Sequence, residues 1–534
     1  MPLQISWPSP LAAAALAFLS LAAYIFYQTL LHPLARYPGP FCAKLTYAYE
    51  LWFAYTGDRH LWFAQLHEKY GPIVRYGPNE LSFNSPSALR TIYSHSSDAA
   101  ISKAPFYNPF ASSGLSIQNV RDKTIHARKK KVMSAAFSVS ALREMEAFVV
   151  DKVDQFCAAM VAGNDSQEWS EPVDMNHWFG YLSVDILGEM CYGRSFGMLN
   201  SEENRWVVHT MSQAAKFTLL RAVMPIMSNV RLASLIMPGI SSIRRRFVSY
   251  SMAQLNARTA LEYEKEKTSS DGEKHAVRHD FCHYMMNSRH GAASFSPAEM
   301  RGECVLLLIA GSDTTAATLS ATMFYLVRHP AQLSIVAAEL RSTFSSVSDI
   351  RSGTALSSCV RLRACVDEAM RLSPAVGSVL PRQVDTDNFI VDGHHIPRGS
   401  VIGVPSYALH HNPAAHVRPY SFIPERWLAG AFNPALGRPT TAEDVAQTSA
   451  ACAPFSIGPR GCIGKSVAYM EIMTALGRLL WLYDVRQAVG VEDPGEGRDV
   501  YGEGRRRAGE YQQYDCFAAT NKGGPMVQFR KREV

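Results

Sequence analysis

The feature that most constrains this chain is an uncharged stretch near its start, residues 11–31, LAAAALAFLSLAAYIFYQTLL. A helix of this length spans the ~30 Å hydrocarbon layer of a bilayer. A cleaved signal peptide is the alternative, but the stretch is long for one and no basic residue precedes it. The sequence therefore predicts a retained single-pass anchor.

The charged residues that follow this stretch predict its orientation in the membrane. Arg36 and Lys44 are the first charged residues of the chain, and basic residues beside a span favour the cytoplasmic side. Residues 1–10 are accordingly predicted to be lumenal. Residues 32–45 include HPLARYPGP, whose three prolines indicate a stiff spacer. Residues 46–534 are predicted to form one cytoplasmic domain.

The composition of this domain is that of a globular protein. The chain has 47% hydrophobic residues and a formal net charge of +6, which predicts no nucleic-acid partner. Its ten cysteines form no CxxC pair, which argues against a disulfide framework and the common zinc sites. Apolar residues at three- and four-residue spacing over residues 138–340 predict a mainly helical fold. Short strands are predicted near residues 73–83, 388–391 and 525–529.

Two segments have less regular patterns. Residues 489–513 are rich in Gly, Arg and Glu with little periodicity, which predicts a surface loop. Residues 217–240 are unusually apolar and indicate either core helices or a second contact with the membrane surface.

One cysteine stands in a tightly turned, positively charged loop, FSIGPRGCIGK, residues 455–465. The stretch that follows has helical periodicity, so Cys462 is predicted to lie at or just before a helix N-terminus. There the helix dipole and free N–H groups stabilise a thiolate. Gly458 and Gly461 permit turns that side chains would block, and Gly464 lets the backbone approach a bulky group. A structural thiol, a covalent nucleophile and a ligand of a soft metal all remain open.

A second group of residues lies in the middle of the chain. SPAE at residues 296–299 is a capping-box start, and Pro330 marks the end of a helix of about 32 residues and about 48 Å. Residues 310–315 at its middle are AGSDTT. The Thr314 hydroxyl can bond the Ala310 carbonyl and distort the helix into a notch that admits a diatomic ligand. A solvated helix face is the plainer interpretation of an acid beside threonines.

The cysteine loop matches FxxGxRxCxG and thereby resembles the haem-binding signature of the cytochrome P-450 family, the haem-thiolate monooxygenases. The resemblance implies haem b with the Cys462 thiolate as its iron ligand, which donates electron density and favours O–O cleavage. It further implies that Arg460 approaches a haem propionate and that Phe455 shields the sulfur. Gly458 and Gly464 complete the signature.

Residues 310–315 resemble the AGxDT oxygen-binding segment of the same family. The resemblance implies that Thr314 hydrogen-bonds dioxygen and that Asp313 helps relay protons to it, a form of general acid catalysis. Members of this fold that rearrange or dehydrate substrates often lack the acid–threonine pair, so its presence favours oxygen activation.

Three charged residues further along resemble a buried network of the family. Glu368 and Arg371 lie three apart on a predicted helix, a pairing that is weak by itself, and Arg426 follows in FIPERW. The resemblance implies that these residues are structural supports of the haem pocket. Arg382, which follows Pro381, resembles a propionate-binding arginine.

The basic run HARKKK, residues 126–131, resembles the helix in which many members carry WxxxR or HxxxR against a propionate. His126 and Lys130 occupy these positions, but lysine keeps only the charge and loses the bidentate fork of arginine. Residues 128–131 are predicted to form a solvated basic face, which could also receive an acidic redox partner.

These motifs resemble those of membrane-bound members from filamentous fungi, many of which oxidise terpenoid, polyketide or alkaloid intermediates of secondary metabolism. The resemblance implies a monooxygenase of the endoplasmic reticulum membrane that takes O2 and a hydrophobic small molecule, with electrons from NADPH through a partner reductase. The alternatives are an isomerase or dehydratase of this fold without a reductase, and a non-catalytic membrane haem protein. Substrate-lining positions are expected within residues 110–117, 217–225, 308–315, 375–380 and 516–520.

Overall fold

The computed structural model describes residues 9–161, 168–268, 278–286 and 295–532. It is mainly helical with small sheets, which confirms the predicted fold class. Residues 1–8 of the expected lumenal segment lie outside the described residues. The α-helices are α1 Pro10–Phe26, α2 Phe41–Leu45, α3 Ala48–Thr56, α4 Arg59–Tyr70, α5 Pro86–Tyr93, α6 Lys123–Ala136, α7 Val139–Ala159, α8 Met175–Tyr192, α9 Trp206–Val223, α10 Val230–Ile236, α11 Pro238–Thr268, α12 Phe281–Met286, α13 Pro297–Arg328, α14 Pro330–Thr343, α15 Thr354–Ser357, α16 Val360–Leu372, α17 Ser406–His410, α18 Ala442–Ala450 and α19 Lys465–Leu482.

The strands form one five-stranded sheet, one three-stranded sheet and three strand pairs within the described residues. Their orders are β1-β2-β8-β5-β3, β11-β14-β4, β9-β10, β12-β13 and β6-β7. The predicted strands are confirmed as β1 with β2, β6 and β14. The bounds are β1 Ile73–Gly77, β2 Glu80–Phe83, β3 Ile101–Lys103, β4 Val173–Asp174, β5 Arg382–Val384, β6 Phe389–Val391, β7 His394–Ile396, β8 Val401–Gly403, β9 Phe432–Asn433, β10 Arg438–Pro439, β11 Tyr483–Gln487, β12 Gln513–Cys516, β13 Ala518–Asn521 and β14 Met526–Lys531.

The N-terminal apolar stretch is helical and stands outside the packed body. α1 continues into a π-helical turn, Tyr27–Leu31, and together they are long and apolar enough to cross a membrane. The buried Arg75 guanidinium donates to the Gln28 backbone oxygen at 2.7 Å and to its side-chain oxygen at 2.6 Å. The end of the helix is thereby fixed to β1 of the body.

The core is built around α13, the long central helix. Its N-terminus has the predicted capping box, in which Ser296 accepts from the Glu299 N–H and Glu299 accepts from the Ser296 N–H. α13 packs against α8, α16 and α19, and most of its apolar side chains are buried. The predicted helix is therefore confirmed, with its notch segment held at the centre of the body.

The structures of residues 489–513 and 217–240, the two segments with less regular patterns, agree only in part with the predictions. Residues 489–513 are largely irregular as expected, but Asp493, Arg505 and Glu510 are buried rather than at the surface. These side chains pair with partners in the body, as Arg505 does with Asp58. Residues 217–240 fold into the end of α9, a 3-10 turn, α10 and the start of α11, with one face in the core and another exposed.

Candidate functional site

A cavity of about 390 Å³ lies between α13 and the cysteine loop. All five predicted lining segments contribute to it, although residues 217–225 contribute only Thr218. Phe217 instead packs with Met227 and Ala233, because only one face of α9 points inward. The lining residues from the other predicted segments are Phe110, Gly114, Ser116, Ile117, Ile309, Ala310, Gly311, Thr314, Thr315, Ala375, Val376, Leu380, Phe517 and Ala518.

Cys462 lies three residues before α19, as predicted, and its sulfur is accessible from the cavity. The loop is closed by the Cys462 N–H, which donates to the Phe455 carbonyl at 2.9 Å. Burial raises the pKa of the Cys462 thiol, and the N–H groups of Gly464 and Lys465 with the Lys465 charge act in the opposite direction. Phe455 also lines the cavity and packs on Tyr469 at 5.3 Å between ring centroids.

Two glycines of this loop have distinct spatial roles. Gly458 has φ +73°, and a Cβ there would lie 2.0 Å from the Tyr93 carbonyl oxygen. Gly464 lines the cavity, and a Cβ there would stand 3.8 Å from the Cys462 sulfur. Glycine is therefore required at Gly458 by the loop itself, and at Gly464 it leaves the space beside the sulfur open.

A cluster of cationic side chains lines the same cavity. Arg460 donates to the carbonyls of Val120 at 2.7 Å and Arg121 at 3.0 Å. Arg382 donates to the carbonyls of Leu380 and Pro381 at 3.2 Å each. The cluster comprises Lys103, His126, Lys130, Arg382 and Arg460.

Burial and mutual repulsion destabilise the charged forms in this cluster. The pKa of His126 falls to about 3 and that of Arg460 to about 10, first through burial and then through neighbouring cations. The pKa of Lys103 is likewise well below its usual range. Glu471 is the acidic member among the described lining residues, and burial raises its pKa well above normal. The cluster therefore favours an anionic ligand.

Lys103 was not among the residues predicted from sequence. It is buried at the end of β3, where its ammonium group contacts the Gln118 carbonyl and lies 4.4 Å from the Tyr107 ring centroid. The sequence around it, ISKAPF, contains no motif, so only the folded structure shows that this lysine lies at the cavity.

The prediction that residues 128–131 form a solvated face was wrong. Lys129 is fully buried, with its Nζ 3.2 Å from the Glu303 carboxylate of α13. Lys130 lines the cavity and donates to a backbone carbonyl of the cysteine loop at 3.0 Å. Arg128 pairs with another carboxylate at the start of α13, and Lys131 is exposed. Successive residues of a helix point about 100° apart, so one run of lysines cannot share one face.

The central segment of α13 has the predicted local geometry. The Thr314 hydroxyl donates to the Ala310 carbonyl at 2.7 Å, and Thr314 lines the cavity. Gly311 permits close packing, because a Cβ there would lie 3.0 Å from Leu187. Asp313 stands just outside the described lining, and burial raises its pKa to about 7.

The three charged residues Glu368, Arg371 and Arg426 are in contact and buried, as predicted. Arg371 forms a fork on Glu368 with two bonds of 2.9 Å, and Arg426 donates to the same carboxylate at 3.2 Å. Arg371 also donates to the carbonyls of His410 and Pro419. α16 is thereby tied to the segment that precedes the cysteine loop.

Comparison with known proteins agrees with this arrangement. Residues 38–500 match the family described as Cytochrome P450. The chain is 34% identical to cytochrome P450 monooxygenase poxM of Penicillium oxalicum, over 97% of this chain and 95% of the relative. It is 32% identical to cytochrome P450 monooxygenase AKT7 of Alternaria alternata, over 99% of both chains. Cytochrome P450 monooxygenase atnE of Emericella nidulans is 32% identical, over 97% of this chain and 95% of the relative.

The match at residues 38–500 covers the cysteine loop, α13 and every described lining residue of the cavity except Phe517 and Ala518. The fold, the position of the accessible thiol and the extent of the similarity lead to one conclusion. The chain belongs to the cytochrome P450 family and is a cytochrome P450 monooxygenase.

Proposed function

We propose that this enzyme inserts one oxygen atom from O2 into a hydrophobic small molecule, with electrons relayed from NADPH by a flavoprotein reductase. The observation that carries the proposal is one cavity, mostly apolar, that joins the Cys462 thiol to the Thr314 hydroxyl. Apolar walls with few polar groups suit a hydrophobic substrate. The resemblance of the motifs to those of membrane-bound fungal members favours an intermediate of secondary metabolism, of the terpenoid, polyketide or alkaloid class, and the similar monooxygenases of Penicillium oxalicum and Alternaria alternata are likewise fungal.

The residues present fit the haem that this family implies. Cys462 offers a thiol to the cavity, and a bound metal cation would make the thiolate its stable form. Arg382, Arg460 and Lys130 would hold the propionates by charge, the neutral His126 ring offers them an N–H donor, and Lys103 lines the same part of the cavity. When bound, haem b supplies an iron that activates dioxygen, and thiolate ligation favours O–O cleavage.

Thr314 and Asp313 would move the protons that O–O cleavage needs. The Thr314 oxygen lines the cavity, donates to Ala310 and keeps lone pairs free to accept from a proton donor. With its pKa raised to about 7 by burial, Asp313 carries a proton in about half of the molecules at neutral pH. Asp313 thus acts as the proton reservoir, and Thr314 presents the proton to the cavity.

An Asp313→Asn variant is expected to lower product formation about 10²-fold, the usual contribution of a general acid. In the wild type, product formation should fall as the pH rises through about 7, because the protonated fraction of Asp313 falls there. The measurement is the rate of product formation, together with the product formed per NADPH, across pH 6–9. Asp313→Glu, which keeps an ionisable carboxyl group, should keep a pH-dependent rate. An Asn variant with the wild-type yield and pH profile would exclude this role.

A Gly458→Ala variant is expected to lose haem and about 3 kcal/mol of stability, because the new Cβ meets a backbone oxygen and the φ is left-handed. The measurement is haem absorbance per mole of purified protein together with the thermal midpoint. Gly509→Ala is the matched control, since a Cβ there meets nothing within 4 Å. Equal haem content in both variants would contradict the steric argument.

The proposed location is the endoplasmic reticulum membrane, with residues 11–31 as the anchor, 32–45 as the spacer and 46–534 as the cytoplasmic domain. A second contact with the membrane is supported by exposed apolar side chains on neighbouring elements. Trp52 and Tyr55 of α3 are more than half exposed, and so are Ile226, Leu235 and Ile236 in and before α10. α3 packs against α9, which leads directly to that segment.

The decisive experiment combines the full-length protein with an NADPH–cytochrome reductase in lipid nanodiscs and a panel of apolar compounds. Substrate-dependent NADPH consumption with a product one oxygen atom heavier supports the proposal. Product formation without NADPH would indicate an isomerase or dehydratase instead. Haem binding without any turnover, including on metabolites that accumulate after gene deletion, would indicate a non-catalytic haem protein.

A further inference from the structure

Residues 105–120, called here the cap segment, close one side of the cavity. Tyr107, Phe110, Gly114, Ile117 and Asn119 of this segment are among the lining residues. A substrate that enters from this side must therefore displace the cap segment. What holds the segment in place determines how readily the cavity opens.

The cap segment is braced internally by one buried side chain. Asn119 accepts from the Ser116 N–H at 2.9 Å and donates to the carbonyls of Phe110 and Gly114, each at 3.1 Å. These bonds connect both halves of the segment. The segment is therefore suited to move as one unit rather than residue by residue.

The cap segment meets α13 through hydrogen bonds to one carboxylate and through close backbone packing. The Ile117 N–H donates to both carboxylate oxygens of Glu303, at 2.9 and 3.1 Å. Beside it, Gly114 packs on Gly302 so closely that a Cβ on Gly302 would lie 3.1 Å from the Gly114 carbonyl carbon. Glu303 is thus the one described side chain of α13 that accepts a backbone N–H of the cap segment.

Glu303 is itself held by Lys129 of α6. The Lys129 Nζ lies 3.2 Å from the Glu303 carboxylate, and both side chains are fully buried. The same Nζ lies 3.2 Å from the Glu299 carboxylate, which also pairs with Arg128 and so keeps a cationic partner without Lys129. Burial raises the pKa of Glu303, whereas the Lys129 charge and the Ile117 N–H act in the opposite direction. A buried ion pair rarely adds net stability over apolar residues of the same shape. Its location at the contact between α6, α13 and the cap segment points to a positional role.

We propose that Glu303 is a positioning residue that latches the cap segment over the substrate cavity, and that Lys129 keeps this latch charged. For the cavity to open, the hydrogen bonds from the Ile117 N–H to Glu303 must break. The Lys129–Glu303 ion pair, which connects α6 and α13, stays intact. The latch thereby sets the rate at which bulky ligands enter. The inference rests on the proposed function only in taking this cavity as the substrate site.

The test replaces both partners with apolar residues of similar size, Lys129→Met with Glu303→Leu, so that no buried charge of the pair is left uncompensated. The cofactor-loaded full-length variant is compared with the wild type by hydrogen exchange of residues 105–120. Loss of a charge-assisted hydrogen bond should speed exchange there about tenfold. Association of 4-phenylimidazole, followed by its absorbance change, should speed up by a similar factor.

The matched control removes another buried ion pair away from the cap segment, Arg258→Met with Asp280→Asn, whose atoms are 2.9 Å apart. It should leave exchange of residues 105–120 unchanged. The proposal is overturned if exchange of the cap segment stays at the wild-type rate in the latch variant, or rises equally in the control. Hydrogen exchange does not depend on turnover, so a failure of the proposed reaction leaves this result interpretable.

Discussion

A Cys462→Ser variant is expected to lose turnover and the absorption band of the reduced, carbon monoxide-treated protein at about 450 nm, the signature of thiolate ligation. Serine is a poor ligand for iron and cannot supply the electron density of a thiolate. Cys462 opens to the cavity from a loop with no other thiol, so the described structure offers no substitute. Histidine ligation instead would give a band at about 420 nm.

The matched control is Cys452→Ala, which removes a buried thiol ten positions away that does not line the cavity. This variant should keep the band and the turnover. A serine variant at Cys462 that retains both the band and turnover would show that the iron ligand lies elsewhere. The measurement needs only difference absorption spectra and product analysis of both variants.

Local motifs predicted much of the site because their geometry depends on neighbouring residues. The capping box of α13, the Thr314–Ala310 bond and the position of Cys462 before α19 all follow from spacings of four residues or fewer. The resemblance to a family then supplied the expectation that Glu368 and Arg426 meet. Their contact, across 58 positions, is confirmed.

Contacts across long sequence separations outside the motifs were not predicted. Lys129 and Glu303 are 174 positions apart, and no motif links the two residues. Lys103 lines the cavity only because β3, which pairs with β5, ends at the cavity wall. The prediction of a solvated face at residues 128–131 was wrong because the charge of a side chain does not determine the direction in which it points from a helix. The roles of the individual site residues remain predictions for the experiments above.

The second large effect is expected at Glu368, the centre of the buried charge network. Its carboxylate accepts five hydrogen bonds, from two atoms of Arg371, one of Arg426, the Ile423 N–H at 3.0 Å and the Trp427 indole N–H at 3.0 Å. Arg371 and Glu368 are fully buried. Removing the carboxylate leaves two arginines in the interior without their counter-ion.

A Glu368→Ala variant is therefore expected to lose about 3–5 kcal/mol of unfolding free energy, the usual result of breaking a buried ion pair. That is a large part of a typical total stability, so little folded, haem-containing protein should accumulate. The measurement is haem content and thermal midpoint.

Two further variants serve as controls for this prediction. Glu368→Gln, which keeps an acceptor for the N–H groups, should lose less stability than the alanine variant. Glu202→Gln, which disrupts the exposed pair with Arg205, should change neither quantity noticeably. An alanine variant as stable as this surface control would mean that the arginines are held by their backbone carbonyls alone.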